Sequence, residues 1–378
     1  MAKIAYGLAG EGRGHCIRAI GLGLQLIEQG HEVRFFTSGD ALPLLVERFG
    51  EQAVHHLPVP RFVYGRRGVA IGRTLTKNAK FILMRRRVAR PVVEALRPWA
   101  PDMVISDFEP VMPSAARTLD RPLVCFNSQH FASVCTMKKH LSLVHRVRAI
   151  PIALLARLFL GRADLTIVSK PFALPLRDKE AHLVGPVLRN GLKEAVWEPQ
   201  GTHVLVYLRG ATDKILDELF EGAKKAGLTV RLYGIHPSHA PSHVETKAFS
   251  EQGFMDDLRT ADAVVSTAGS QLIGEVTHLG CTTVLVPEPG QIEQDINARL
   301  ASTLHDNIQS VRVREFRADL VERANRQDMP HEAPFVDGAN EAATLLAHWW
   351  TERVRGNTAN PIMTVSYTHL TLPTILLV

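Results

Sequence analysis

Residues 7–15 read GLAGEGRGH, with Gly7, Gly10, Gly12 and Gly14 packed together and His15 directly after them. Bare backbone lets a ligand come close to the chain. Where such a loop opens a helix, the free N–H groups and the helix dipole favour an anion, phosphate above all. Gly10, Gly12, Arg13 and Gly14 are the candidates for that contact. The dinucleotide fingerprint G-x-G-x-x-G fails here, because its third glycine falls on His15 and Gly14 comes one residue early. No Gly-Lys-Ser/Thr follows, which excludes a P-loop. His15 is expected at the first turn of the helix, at the mouth of a cleft. An imidazole so placed suits removal of a proton from a hydroxyl, since histidine ordinarily titrates near neutrality. A carboxylate beside it would orient the ring. In ISDFEP, Asp107 falls just past a strand end and is the candidate, with Glu109 as its rival.

A second loop of small residues follows a later strand. Thr267, Ala268, Gly269 and Ser270 lead into a helix at Gln271, a second phosphate cradle on the same grounds. Glu275 lies about one turn into that helix, where a carboxylate can accept the hydroxyl hydrogens of a ribose. No D-x-D stands at a strand end, so neither a metal nor any other cofactor is expected.

These loops need strands before them and helices after them, and the chain supplies both twice. Lys3–Leu8 reads as a strand, Cys16–Glu28 as a helix closed by Gly30, and Glu32–Thr37 as the next strand, one βαβ unit with parallel strands. Asp102–Ser106, Leu123–Asn127 and Ala163–Val168 continue the pattern. After the Gly-Pro break in LVGPVLRN it restarts with strands at Thr202–Leu208, Leu228–Tyr233, Ala263–Ser266 and Thr283–Val286. The expectation is an α/β chain of two Rossmann-like, doubly wound domains facing across a cleft, with ligands beyond the carboxyl ends of the strands. The expected units are 1–184, a linker 185–200, a second domain 201–338 and a helix 339–356. Residues 364–378 break the style of the chain and read as a non-native tail.

The 378 residues suit two domains, and the 22% charged and 46% hydrophobic content suits a soluble fold with a real core. No transmembrane run or secretory leader is read, and four cysteines without a C-x-x-C pair fit a reducing, cytoplasmic setting. The net charge of +6 is concentrated in the first half, and residues 61–90 contain many Arg and Lys but no acid. With the apolar and basic run Val144–Leu160, this suggests peripheral contact with an anionic membrane, at the inner face of the plasma membrane. No nucleic-acid partner is expected.

The glycine loop with its histidine, the Gly-Pro linker, the Gly269…Glu275 spacing and the Gln294-x-x-Asn297-Ala298 helix together resemble the metal-independent GT-B glycosyltransferases. The similarity is strongest to the family 28 type, across nearly the whole native chain, and GEGRGH and PEPGQIEQ resemble a branch of predicted glycosyltransferases. The resemblance implies that Glu275 holds the nucleotide ribose and that Ala268, Gly269, Ser270 and Gln271 meet the diphosphate. It also implies that Gln294, with Glu288 and Gln291 of the Pro-rich loop, contacts the donor sugar, and that Arg209 and Gly210 border the pocket. The expected reaction is inverting transfer from a nucleotide diphosphate sugar, UDP-linked, to a hydroxyl acceptor that is lipid-linked or carries phosphate. A nucleotide-sugar 2-epimerase and a non-catalytic nucleotide-sugar binder are the alternatives.

Overall fold

The computed structural model describes residues 1–58, 64–65, 68–69, 76–79, 81, 83–208, 213–237, 239–324 and 336–356. Numbered along the chain, the first lobe contains strands β1 (Lys3–Leu8), β2 (Glu32–Thr37), β3 (Val54–His56), a short hairpin β4 (Tyr64–Gly65) and β5 (Gly68–Val69), then β6 (Met103–Asp107), β7 (Leu123–Asn127), β8 (Leu165–Ser169) and β9 (Ala181–Val184). Apart from the hairpin they form one parallel sheet in the order β3-β2-β1-β6-β7-β8-β9. Strands β6 and β7 are buried throughout, as expected for the middle of a parallel sheet covered on both faces.

The second lobe repeats the plan with β10 (His203–Tyr207), β11 (Thr229–Tyr233), β12 (Val244–Thr246), β13 (Ala263–Ser266), β14 (Thr283–Leu285) and β15 (Ile308–Ser310). Its parallel sheet runs β12-β11-β10-β13-β14-β15. The chain thus forms two Rossmann-like α/β lobes that face each other across a cleft.

In both sheets the order reverses direction next to the first strand. That leaves a crevice at the carboxyl ends of β1 and β10, where a ligand fits best. The helix Arg13–Glu28 follows β1 and buries Ala19, Leu22 and Leu26 against the first sheet. The last helix, Gly338–Gly356, packs on that same helix, adding Ala339, Ala342, Ala343 and Leu346 to the first lobe's core.

The structure also moves some boundaries. The first helix begins at Arg13, three residues before Cys16, which draws His15 into its opening turn. Asp107 is the last residue of β6 and does not lie beyond it. β12, β15 and the helix Glu251–Thr260 have no counterpart in the sequence pattern. The two strands have three residues each, too few for an alternation to show. Arg209, Gly210, the tail 364–378 and, of the basic stretch 61–90, residues 61–63, 66–67, 70–75, 80 and 82 lie outside the described residues.

Candidate active site

β1 ends at Leu8, in register with Asp107 at the end of β6. The glycine loop turns from there into the helix. Gly10 crosses close over the end of β2, and a Cβ on it would lie 2.3 Å from the Ser38 carbonyl oxygen. Gly12 takes φ +90°, a conformation that side chains disfavour. With the loop so folded, Glu11, Gly12, Arg13, Gly14 and His15 line one wall of an interlobe cavity of about 210 Å³.

His15 Nδ1 lies 2.8 Å from Asp107 Oδ1. Asp107 is fully buried, and Arg18 grips it twice, Nε to Oδ2 at 3.0 Å and Nη2 to Oδ1 at 3.0 Å. Burial works to raise the Asp107 pKa, but the Arg18 guanidinium and then His15 outweigh it and hold the carboxyl below its ordinary value. Arg18 Nη2 also lies 2.9 Å from His15 Nδ1. A ring protonated at Nδ1 donates to the carboxylate and keeps its base at Nε2. A ring bare at Nδ1 would accept from Arg18 and carry its proton on Nε2. The ionised Asp107 favours the first arrangement. Phe108, held at φ +57°, stacks on the His15 ring with centroids 6.2 Å apart.

Glu109 faces elsewhere. It is buried, its Oε2 accepts from the Val111 and Met112 amides at 2.7 and 3.0 Å, and Ser106 Oγ donates to its Oε1 at 2.6 Å. It closes the N-terminus of the helix Val111–Leu119. Burial pushes its pKa up from 4.5 to about 7 against those hydrogen bonds. The folded protein therefore binds this proton more tightly than the unfolded chain. The resulting stability is full below pH 4.5 and is lost as the pH climbs towards 7. Glu109→Gln removes this dependence. In urea unfolding between pH 5 and pH 8, wild type should lose on the order of 2–3 kcal/mol relative to the variant, whereas parallel curves would show that the carboxyl ionises at no cost.

The opposite wall of the cavity belongs to the second lobe. The helix Ser270–Leu279 points its N-terminus into the gap, with Gly269, Ser270 and Gln271 lining the cavity and Ala268 buried behind them. Gln271 Cβ lies 3.6 Å from the point where a Cβ on Gly14 would stand, so the glycine loop of the first lobe and the start of the helix Ser270–Leu279 meet face to face. Glu275 lines the same cavity and is fully buried. Arg189 Nη1 donates to its Oε2 at 2.5 Å and Gln271 Nε2 to its Oε1 at 2.9 Å. Burial pushes the Glu275 carboxyl above its ordinary value, with Arg189 opposing. Gln294 also lines the cavity and ties the Pro-rich loop to its helix, its Oε1 accepting from the Glu288 amide at 2.9 Å. Glu288 itself faces a neighbouring depression beside Pro287 and Pro289, and Gln291 lines neither space.

Several participants had no reading in the sequence. Arg18, one helical turn after His15, could have been found from its i+3 spacing. Arg189 lay in a stretch read only as a linker. Phe249 and Ser128 are two more: the Phe249 ring lies 3.4 Å under the guanidinium of the expected loop residue Arg13, and Ser128 Oγ donates to the expected Ser270 Oγ at 3.2 Å. The fully buried Lys170 reaches from the first lobe to Asn297 Oδ1 at 2.9 Å. Among the described residues, no group of three or more His, Cys, Asp or Glu side chains is arranged to hold a metal ion.

The sequence profile of glycosyl transferase family 1 matches residues 2–321, running through both lobes. An uncharacterized glycosyltransferase of Methanosarcina mazei is 24% identical over 326 residues, 78% of this chain and 82% of that one. The UDP-N-acetylglucosamine–N-acetylmuramyl-(pentapeptide) pyrophosphoryl-undecaprenol N-acetylglucosamine transferase of Idiomarina loihiensis is 28% identical over 180 residues, 42% of this chain and 49% of its own. Among solved structures, the glycotransferase of kitacinnamycin superposes with a TM-score of 0.62 at 15% identity, over 92% of this chain and 98% of that one, a likeness of fold. The chain belongs to glycosyl transferase family 1, and the protein is a glycosyltransferase with the GT-B fold.

Proposed function

We propose that this enzyme moves a sugar from a nucleotide diphosphate, uridine-linked, to a hydroxyl acceptor, with inversion at the anomeric carbon and without a metal ion. One observation carries the reading: the His15 imidazole, backed by Asp107 and Arg18, shares a single cavity with the N-terminus of the helix Ser270–Leu279. The acceptor hydroxyl gives its proton to His15 Nε2 as its oxygen bonds to the anomeric carbon. The bond from that carbon to the diphosphate breaks, and the electron pair leaves with the phosphate oxygen. The amides and dipole at Ser270 and Gln271 take up that charge without rearranging. A ribose hydroxyl replaces the Gln271 amide on Glu275, and Gln294 addresses the sugar. A family 28-like identity rests on these motifs and on the partial match to the Idiomarina enzyme, whose name supplies the uridine-linked donor.

The cavity, about 210 Å³, is smaller than the roughly 300–1,000 Å³ of usual small-molecule sites. A donor of nucleotide-sugar size would need the lobes to part and then close on it, which would exclude water. A melting panel with nucleotide sugars tests the reading. The true donor should raise the melting temperature by several degrees at a concentration of about 100 Kd, equivalent to roughly 2.7 kcal/mol. Product NMR with an accepting alcohol should then show the inverted anomer. A panel in which no nucleotide sugar stabilises the protein, a retained anomer, or a 2-epimer formed from donor alone would each defeat the proposal.

A further inference from the structure

The helix Leu143–Leu160 has an outer face that no described residue covers. Leu143, Val147, Ile150, Leu154 and Leu158 recur every three or four residues and are each 45–65% exposed. At 100° per residue they form one stripe along about 23 Å of helix. Its buried residues, Ala149, Ala156, Phe159 and Leu160, fall on the opposite side. Arg146 and Arg157 lie beside the stripe by the same geometry, and the chain contains no acidic residue between Asp120 and Asp164. Arg148 points away and pairs with Asp295 of the second lobe.

At the C-terminal end of the same helix lies a separate cavity of about 280 Å³, lined by Arg85, Arg86, Arg117, Ser114 and Thr118. It adjoins the striped helix directly, because Arg117 Nη1 donates to the Leu160 carbonyl at 3.2 Å. Burial, and then the neighbouring Arg85 and Arg86, lower the Arg117 pKa from its ordinary value, which marks a place where positive charge is crowded. Among the described residues no carboxylate lines this cavity. Leu83, two residues before Arg85, is 82% exposed.

We infer that this face docks on the surface of an anionic lipid bilayer, the apolar stripe entering the acyl boundary and the arginine cavity receiving lipid phosphate headgroups. An apolar stripe edged by cations is the pattern that lies in an interface and does not span it, and no described helix is long and apolar enough to cross a membrane. Charge complementarity selects the partner: a second copy of this chain would oppose arginine to arginine. The inner side of the same helix packs Phe159 against Phe108, with ring centroids 5.3 Å apart, and Phe108 stacks on His15. A bilayer held by the outer face thus lies one helix away from the imidazole. The surface itself does not depend on the reaction assigned above.

Flotation of the full chain with vesicles tests the inference. The protein should float with equimolar phosphatidylcholine–phosphatidylglycerol, stay behind with phosphatidylcholine alone, and be released by high salt. Leu154→Glu and the double variant Arg86→Glu/Arg117→Glu should each weaken flotation by roughly tenfold or more, with melting temperature and nucleotide-sugar response unchanged. The milder Ile150→Ala/Leu154→Ala should weaken it less. Equal binding to neutral vesicles, no binding to either kind, or full binding by the charge-reversed variant would overturn the inference. So would a concentration-dependent dimer in sedimentation that Leu154→Glu disperses while wild type ignores vesicles.

Discussion

His15→Ala lowers turnover by roughly 10²–10⁴-fold, the range for loss of a positioned general base, while the variant still responds to the donor in a melting assay. The argument rests on what the side chain touches. His15 bonds to a buried carboxylate and caps nothing: the helix Arg13–Glu28 has no side-chain cap. Removing the ring therefore costs chemistry more than folding. Asp107→Asn should fall nearly as far by a different route. Its carbonyl would turn to Arg18 and its amide to His15 Nδ1, which fixes the ring with the proton on Nε2, the wrong tautomer for a base. Two measurements decide the matter, single-turnover rate and donor affinity. If His15→Ala keeps its rate, the base is elsewhere. If it loses donor affinity in proportion to rate, His15 binds and does not catalyse.

Glu275→Ala should carry the second large effect, on stability and on binding together. The substitution leaves the Arg189 guanidinium, 8% exposed, without its buried carboxylate partner and with only the more exposed Glu251 at 4.0 Å. Breaking a buried pair from one side costs roughly 3–5 kcal/mol, a fall in melting temperature on the order of 10 °C for a lobe of this size. If Glu275 also accepts hydrogen bonds from the ribose, donor affinity should drop roughly 10- to 100-fold, the worth of a hydrogen bond to a charged group. Glu275→Gln keeps an acceptor for Arg189 and should lie between. Binding is measured below the melting point of each variant. A variant that melts early yet binds the donor at wild-type strength would confine Glu275 to holding Arg189 and Gln271.

The same pair shows how the site is built. Glu275 is wholly inside, and its charge is bearable because Arg189 and Gln271 supply hydrogen bonds that water would otherwise give. Gln271 also donates to the Val187 carbonyl at 2.8 Å, fastening the helix Ser270–Leu279 to the segment between the lobes. The N-terminal end of that helix, which lines the interlobe cavity, is therefore tied directly to the segment that joins the lobes.

The α/β class, the two-lobed plan and the two glycine-bearing turns were legible in the sequence because each depends on neighbours in the chain. Strand and helix periods repeat over a few residues, and the positive φ that calls for glycine at Gly12 is set within its own turn, whereas the crowding at Gly10 comes from Ser38, at the end of the next strand. The pairings that give the site its chemistry are not local. His15 meets Asp107 across 92 positions and Arg189 meets Glu275 across 86. The choice between Asp107 and Glu109 was made by the placing of β1 beside β6, which sets Leu8 against Asp107 and leaves Glu109 to cap its own helix. Sheet order, and the face each helix presents, come from burying apolar surface over the whole chain. No short window contains that information, so side chains distant in sequence find their partners only once the lobes are packed.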